Sequence, residues 1–165
     1  MAFPDAALWF LIFTLPVALW VAWSDMATMK IPNKAVVALV LVYAAVGLFV
    51  LPLPEYLWRW SHLVVVLAGG FLLYLTGAFG AGDAKFAAAM APFFALADWL
   101  FVLILFAVVL IAAFVTHRGA RRIPAVRRAF PDWESWARKD FPMGLALSGT
   151  LLAYFALALR TPLPA

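Results

Sequence analysis

Two carboxylates stand out by where they fall in the chain. Asp25 closes the first apolar run in "AWSDMATMK", and Asp83 opens a later one in "GAGDAK". An ionisable group at membrane depth is costly, and an isolated one marks a pathway or a reaction centre. Taken singly, each acid has an ordinary structural explanation. Asp83 reads as a helix N-cap with Lys85 as counter-charge, and Asp25 as an interfacial residue at a helix terminus. If the chain brings both to one face, the chemistry changes. Two neighbouring carboxyls do not both ionise readily, so the pair holds one shared proton. The ionised member then draws a proton from water while the protonated member polarises a peptide carbonyl, which is aspartyl proteolysis. Local fields suggest a division of labour: Asp83, at a helix N-terminus near Lys85, is expected charged, and Asp25, at a helix C-terminus, neutral.

The elements that must carry these acids are membrane helices. Of 165 residues, 68% are hydrophobic and only 12% charged. The mean hydropathy of +1.04 is too high for a soluble globular domain. The long apolar runs lack strand-like alternation, which favours helices over a closed barrel. A span needs roughly 20 apolar residues, so the chain accommodates five or six, with no room for a soluble domain. The expected fold is an all-α integral membrane protein, a compact bundle of about six transmembrane helices forming one membrane-embedded domain over residues 1–165.

The apolar runs are Ala6 to Trp23, Ala35 to Leu51, Ser61 to Phe79, Phe86 to Ala97, Trp99 to Val115 and Met143 to Leu159. Read as one helix, Phe86 to Val115 would measure about 45 Å, well beyond the hydrocarbon core. A split near Pro92 to Asp98 is favoured by charge. With the split, Lys30, Lys34, Lys85, Arg118, Arg121, Arg122, Arg127, Arg128, Arg138 and Lys139 share one side, leaving Arg59 and Arg160 on the other. The positive side is expected to be cytoplasmic, with Asp25 and Asp83 on it and both termini external. Asp5, Glu55 and Asp98 then fall on the outer side. The beginning of the chain, without Lys or Arg ahead of the first run, is read as a retained helix rather than a signal peptide.

Around the acids, Pro32 keeps Ile31 out of a helix, and Pro32-Asn33 lets the chain turn and begin the second span. Gly80 and Gly82 allow the backbone to approach a substrate strand or a facing helix. Gly69 and Gly70 read as packing glycines. The absence of cysteine excludes thiol catalysis and Cys-based zinc sites. His62 and His117 have no second ligand nearby, so neither a metal nor a cofactor is expected. The net charge of +4 lies mostly in one loop and does not indicate nucleic acid. Its segment "RRAFPDWESWARKD" alternates charge with Trp133 and Trp136, as an amphipathic piece lying on the membrane surface would. Anchoring on anionic lipid is its expected role, with gathering of a substrate or an assembly ATPase as the alternative.

Asp25 followed by Lys30-Ile31-Pro32-Asn33, then Gly80-Ala81-Gly82-Asp83-Ala84-Lys85, resembles the two signature blocks of type IV prepilin peptidases, the Gly-x-Gly-Asp class of intramembrane aspartyl proteases. Pro142-Met143-Gly144-Leu145-Ala146 is a weaker similarity to a Pro-x-Gly-x-Ala in that family. The resemblance implies that Asp25 and Asp83 are the catalytic dyad on the cytoplasmic side of the bacterial inner membrane. Lys30, Pro32, Asn33, Gly80, Gly82 and Lys85 would bind substrate or support the site. It further implies a prepilin or pseudopilin substrate with a short basic leader, cut after a glycine, and pilus assembly machinery as a further partner. The chain looks like the short, peptidase-only type associated with Flp (tight adherence) pili. It lacks the cysteine-bearing segment of the bifunctional members, so N-methyltransferase activity is not expected. Two rival readings stand beside it: a related archaeal-type preflagellin or remnant signal peptide peptidase, and a non-enzymatic transport or assembly component. A transporter would be expected to hold its acids near the midplane and to show repeated halves, neither of which the sequence displays.

Overall fold

The computed structural model describes residues 4–77 and 79–160. Seven α-helices account for most of these: α1 (Pro4–Thr28), α2 (Asn33–Val50), α3 (Leu53–Leu75), α4 (Ala81–Met90), α5 (Trp99–Ala120), α6 (Pro124–Ala129) and α7 (Met143–Arg160). No strand occurs among the described residues. Five stretches are long and apolar enough to cross a bilayer: Ala6–Thr28, Asn33–Val50, Leu53–Leu75, Leu96–Ala120 and Met143–Arg160. The chain termini and the side chain of Asp5, expected on the outer side, lie outside the described residues, as does Ala78.

The bundle buries narrow stripes and leaves broad faces for lipid. In α2 the buried residues are Ala35, Leu39, Tyr43 and Gly47, one every fourth position. Leu41, Leu48 and Phe49 on its other faces are exposed, as befits a helix whose solvent is hydrocarbon. The inner core is aromatic. Phe10 of α1 lies 5.0 Å from the Phe93 ring and 5.8 Å from Phe155, and Tyr43 lies 5.3 Å from Phe93. The two Phe93 contacts are edge-to-face and the Phe10–Phe155 pair is stacked, and both kinds add to the burial that holds α1, α2 and α7 around Phe93.

The split between the fourth and fifth runs falls where charge placed it, but the fourth helix is shorter than a span. Ten residues of α4 cover about 15 Å, half of the hydrocarbon core. Pro92, in a 3-10 turn over Ala91–Phe93, ends it inside the bundle. The chain then reverses through Phe94 and Ala95 and a second 3-10 turn, Leu96–Asp98, into α5. Irregular backbone at this depth survives only when protein groups satisfy it. Arg59, buried in α3, donates from Nη1 to the Phe93 carbonyl at 3.3 Å and from Nε to Glu55 at 2.8 Å. The Tyr154 hydroxyl accepts from Ala95 N–H at 3.4 Å and donates to Asp98 at 2.6 Å. The six expected crossings are therefore five full-length helices and one half-length helix.

Because α4 still runs opposite to α3 and α5, the helix ends sort as the charge pattern requires. The last turns of α1, α3 and α5 and the first turns of α2, α4 and α7 gather at one end. Lys85 of α4 reaches Asn33 of α2 at 3.4 Å, Gly144 of α7 binds Asp25 of α1, and Arg118 of α5 binds the backbone ahead of α7. Gly70 lets α3 approach α4, since a Cβ there would stand 3.0 Å from that of Ala84. Gly69 faces open space.

Candidate active site

Asp25 sits in the last turn of α1 and is 4% exposed. The helix ends just beyond it, where Met29 takes a left-handed conformation with φ of 52°. Met29 N–H still donates to the Asp25 carbonyl at 2.9 Å, and the Ser24 hydroxyl donates to the Lys30 carbonyl at 3.0 Å, fixing the turn. Pro32 then serves as the N-cap residue of α2, with φ of −65°. The first N–H group of α2 to find a backbone partner, Ala35, donates to its carbonyl at 3.0 Å. The Asp25 side chain is held from across the bundle. Oδ2 accepts a hydrogen bond of 2.7 Å from Gly144 N–H in the first turn of α7.

Asp83 occupies the third position of α4, whose N-cap residue is Gly80. Its carboxyl reaches back to the Gly80 N–H, the acidic half of a capping box. The sequence expectation of an Asp83 N-cap paired with Lys85 is corrected accordingly. The cap is Gly80, and the Lys85 ammonium bonds Asn33. Burial, and then the charge of Asp25, push the Asp83 carboxyl up to about 6, with the Gly80 hydrogen bond opposing them. The expected division into a charged Asp83 and a neutral Asp25 is not supported. Asp25, in the last turn of α1, also accepts from an N–H in the first turn of α7, and Asp83 meets the N–H of the N-cap residue of α4, so each carboxyl has a backbone donor.

Both acids line a single cavity of about 720 Å³ at the positively charged end of the bundle. Lys30, Asn33, Gly80, Gly82 and Lys85 line it as well, whereas Pro32 does not and shapes α2 from behind. Gly82 lies against Ile31, with room for an ordinary contact. The remaining wall comes from a segment not singled out as part of the site: Arg138, Asp140, Phe141 and Met143, ahead of and entering α7. A hint was the position of this segment just before Pro142-Met143-Gly144, on the same side of the charge pattern as the two acids.

That wall is clamped onto the neighbouring helices. Over the segment there is only the six-residue α6 and a 3-10 turn, Glu134–Trp136. Its tryptophans pack on other helices. Trp133 meets Trp23 of α1 at 5.2 Å, and Trp136, buried, stacks on His117 of α5 at 5.2 Å. Arg118 donates to the Lys139 carbonyl at 2.6 Å and Arg121 to the Arg138 carbonyl at 3.3 Å. His62 lies at the other end of the bundle, 5.8 Å from the Trp99 ring.

Five helices long and apolar enough to cross a bilayer, with two carboxyls from separate helices lining one cavity at one end, describe a multi-pass membrane protein. The type IV leader peptidase family matches residues 10–116, and the chain belongs to that family. The match takes in both Asp25 and Asp83 and ends before the loop and α7. No individually curated protein and no solved structure matches the chain. Membership makes the chain a membrane protease with a prepilin-type substrate.

Proposed function

We propose that this membrane protease is an aspartic endopeptidase acting through Asp25 and Asp83. It removes the short basic leader of type IV, Flp-type prepilins or pseudopilins after a glycine. The observation that carries the reading is that the two acids, from α1 and α4, line one cavity at the positively charged end of the bundle. A shared proton is what such a pair holds. The ionised carboxylate takes a proton from a water molecule as the oxygen attacks the scissile carbonyl, and the protonated carboxyl donates to the carbonyl oxygen. Collapse of the tetrahedral intermediate breaks the C–N bond and passes a proton to the leaving amine, returning the dyad to its starting state.

Polarity at that end suits such a substrate. The cavity opens where the helices end, so a peptide bond just outside an apolar helix reaches the acids while the helix stays in lipid. The Lys and Arg residues gathered at that end support a cytoplasmic face in a bacterial inner membrane. Domain organisation follows, with residues 1–165 working as one membrane-embedded peptidase unit.

The test is co-expression with a leader-bearing Flp-type prepilin, comparing the parent with Asp25→Asn and Asp83→Asn by the mobility and N-terminal sequence of the pilin. Each variant is expected to lower cleavage by about 10²-fold or more, the scale of lost acid–base catalysis, while remaining membrane-inserted. Normal processing by both variants would remove the aspartic reading.

A further inference from the structure

Three acids line the cavity, and two are already engaged by backbone N–H groups: Asp25 by Gly144 and Asp83 by Gly80. The third, Asp140, is exposed. It makes no hydrogen bond or ion pair with any described residue, although it follows Arg138 and Lys139 directly. Of the three cations that line the cavity with it, Lys30, Lys85 and Arg138, two are engaged elsewhere. The Arg138 guanidinium lies 3.5 Å from Glu134, and the Lys85 ammonium bonds Asn33. The backbone that carries Asp140 is fixed, because Arg118 and Arg121 hold the two carbonyls immediately before it. A pinned, exposed carboxylate with no bonded partner at the edge of a cavity is complementary to a cation that arrives with the substrate.

We infer that Asp140 is a specificity-determining residue that binds a lysine or arginine side chain of the peptide, on the polar side of the bond to be cut. The inference rests on the peptidase reading above. Chain geometry bounds the position of that cation. Asp140 lies four positions before Gly144, whose N–H holds Asp25, so their Cα atoms lie at most about 14 Å apart. An extended peptide covers that distance in about four residues. The cation therefore belongs within about four residues of the scissile bond, and a charge farther out gains nothing from Asp140.

The experiment measures peptide binding separately from cleavage. The full chain carrying Asp83→Asn, in detergent micelles, is titrated into a labelled peptide with one Lys three residues before a Gly–apolar junction. The same peptide with Gln in place of Lys is the comparison. The Lys peptide is expected to bind about tenfold more tightly, Asp140→Asn to erase the difference, and Asp140→Lys to prefer a Glu peptide. Equal binding of the Lys and Gln peptides, or a Lys preference that survives Asp140→Asn, would overturn the assignment. Failure of the peptidase reading looks different. A parent chain that binds the Lys peptide through Asp140 yet never cleaves a prepilin counts against hydrolysis and supports the cation site.

Discussion

The Gly144 N–H donates to Asp25 Oδ2 over 2.7 Å, joining the first turn of α7 to the last turn of α1. The contact depends on the missing side chain. A Cβ at Gly144 would stand 3.0 Å from both Asp25 Cβ and Asp25 Oδ2, and 3.1 Å from Val21 Cγ1. Gly144→Ala therefore requires α7 or the Asp25 carboxyl to give by a few tenths of an ångström. Overpacking of this kind costs about 1–3 kcal/mol. The expected result is a cleavage rate at least tenfold lower, with a modest fall in the thermal midpoint of the detergent-solubilised protein. Parent-like cleavage by Gly144→Ala would mean that the Asp25 contact has no part in catalysis.

The two glycines of the Gly80-Ala81-Gly82-Asp83 block are predicted to differ sharply. A Cβ at Gly80 would meet Asp83 Oδ2 at 2.5 Å, a separation that forces the carboxyl away from the N–H it accepts from. At Gly82 the nearest atom is Ile31 Cβ at 3.4 Å, an ordinary van der Waals distance. Gly80→Ala is expected to lower cleavage by about tenfold or more, since a catalytic group misplaced by an ångström is enough for such a loss. Gly82→Ala is expected to stay within about twofold of the parent in the same prepilin assay, the null side of that comparison. Equal effects of the two substitutions would show that spacing in the motif, rather than room around Asp83, sets the requirement.

Burial and Asp25 raise the Asp83 carboxyl from 3.8 to about 6, which ties stability to pH in a definite direction. Between those values the folded chain holds more protons than the unfolded one, so stability falls as pH rises through the window. Above about 6 the penalty is constant, and below 3.8 it is absent. Asp83→Asn stays neutral and escapes it. Thermal unfolding in detergent should find Asp83→Asn more stable than the parent at pH 7.5, with the gap closing as pH is lowered toward 4. A gap that widens toward acid pH would contradict a raised Asp83.

What the sequence made legible follows from local rules and charge. Pro32 opening α2, Pro92 ending α4 and the gathering of Lys and Arg at one end were readable, because each acts through backbone restriction or helix orientation. Convergence of Asp25 and Asp83 followed from that orientation. The run Phe86 to Ala97 is visibly short for a span, but what satisfies its buried end was not readable, since the donors and acceptors come from Arg59 and Tyr154, 34 and 59 residues away in sequence. The packing of the loop before α7 was unreadable for a similar reason, since the partners of Trp133 and Trp136, Trp23 and His117, come from other helices. Asp140 carries no local signal at all, because its place on the cavity depends on Arg118 and Arg121 gripping the preceding carbonyls.

Arg59 gives a prediction of the opposite kind, a loss of stability without loss of chemistry. It is 1% exposed, bonds Glu55, and supplies the Phe93 carbonyl with a donor where α4 stops inside the bundle. Arg59→Met keeps the apolar stem but removes both bonds. A hydrogen bond to a charged group contributes about 1.5–3 kcal/mol, so the solubilised variant should unfold at a clearly lower temperature. The cavity acids lie at the other end of α4, about 15 Å away along ten residues of helix. Cleavage per folded molecule at low temperature should therefore match the parent. If activity fell while the unfolding midpoint held, Arg59 would instead be setting the position of α4 and, through it, of Asp83.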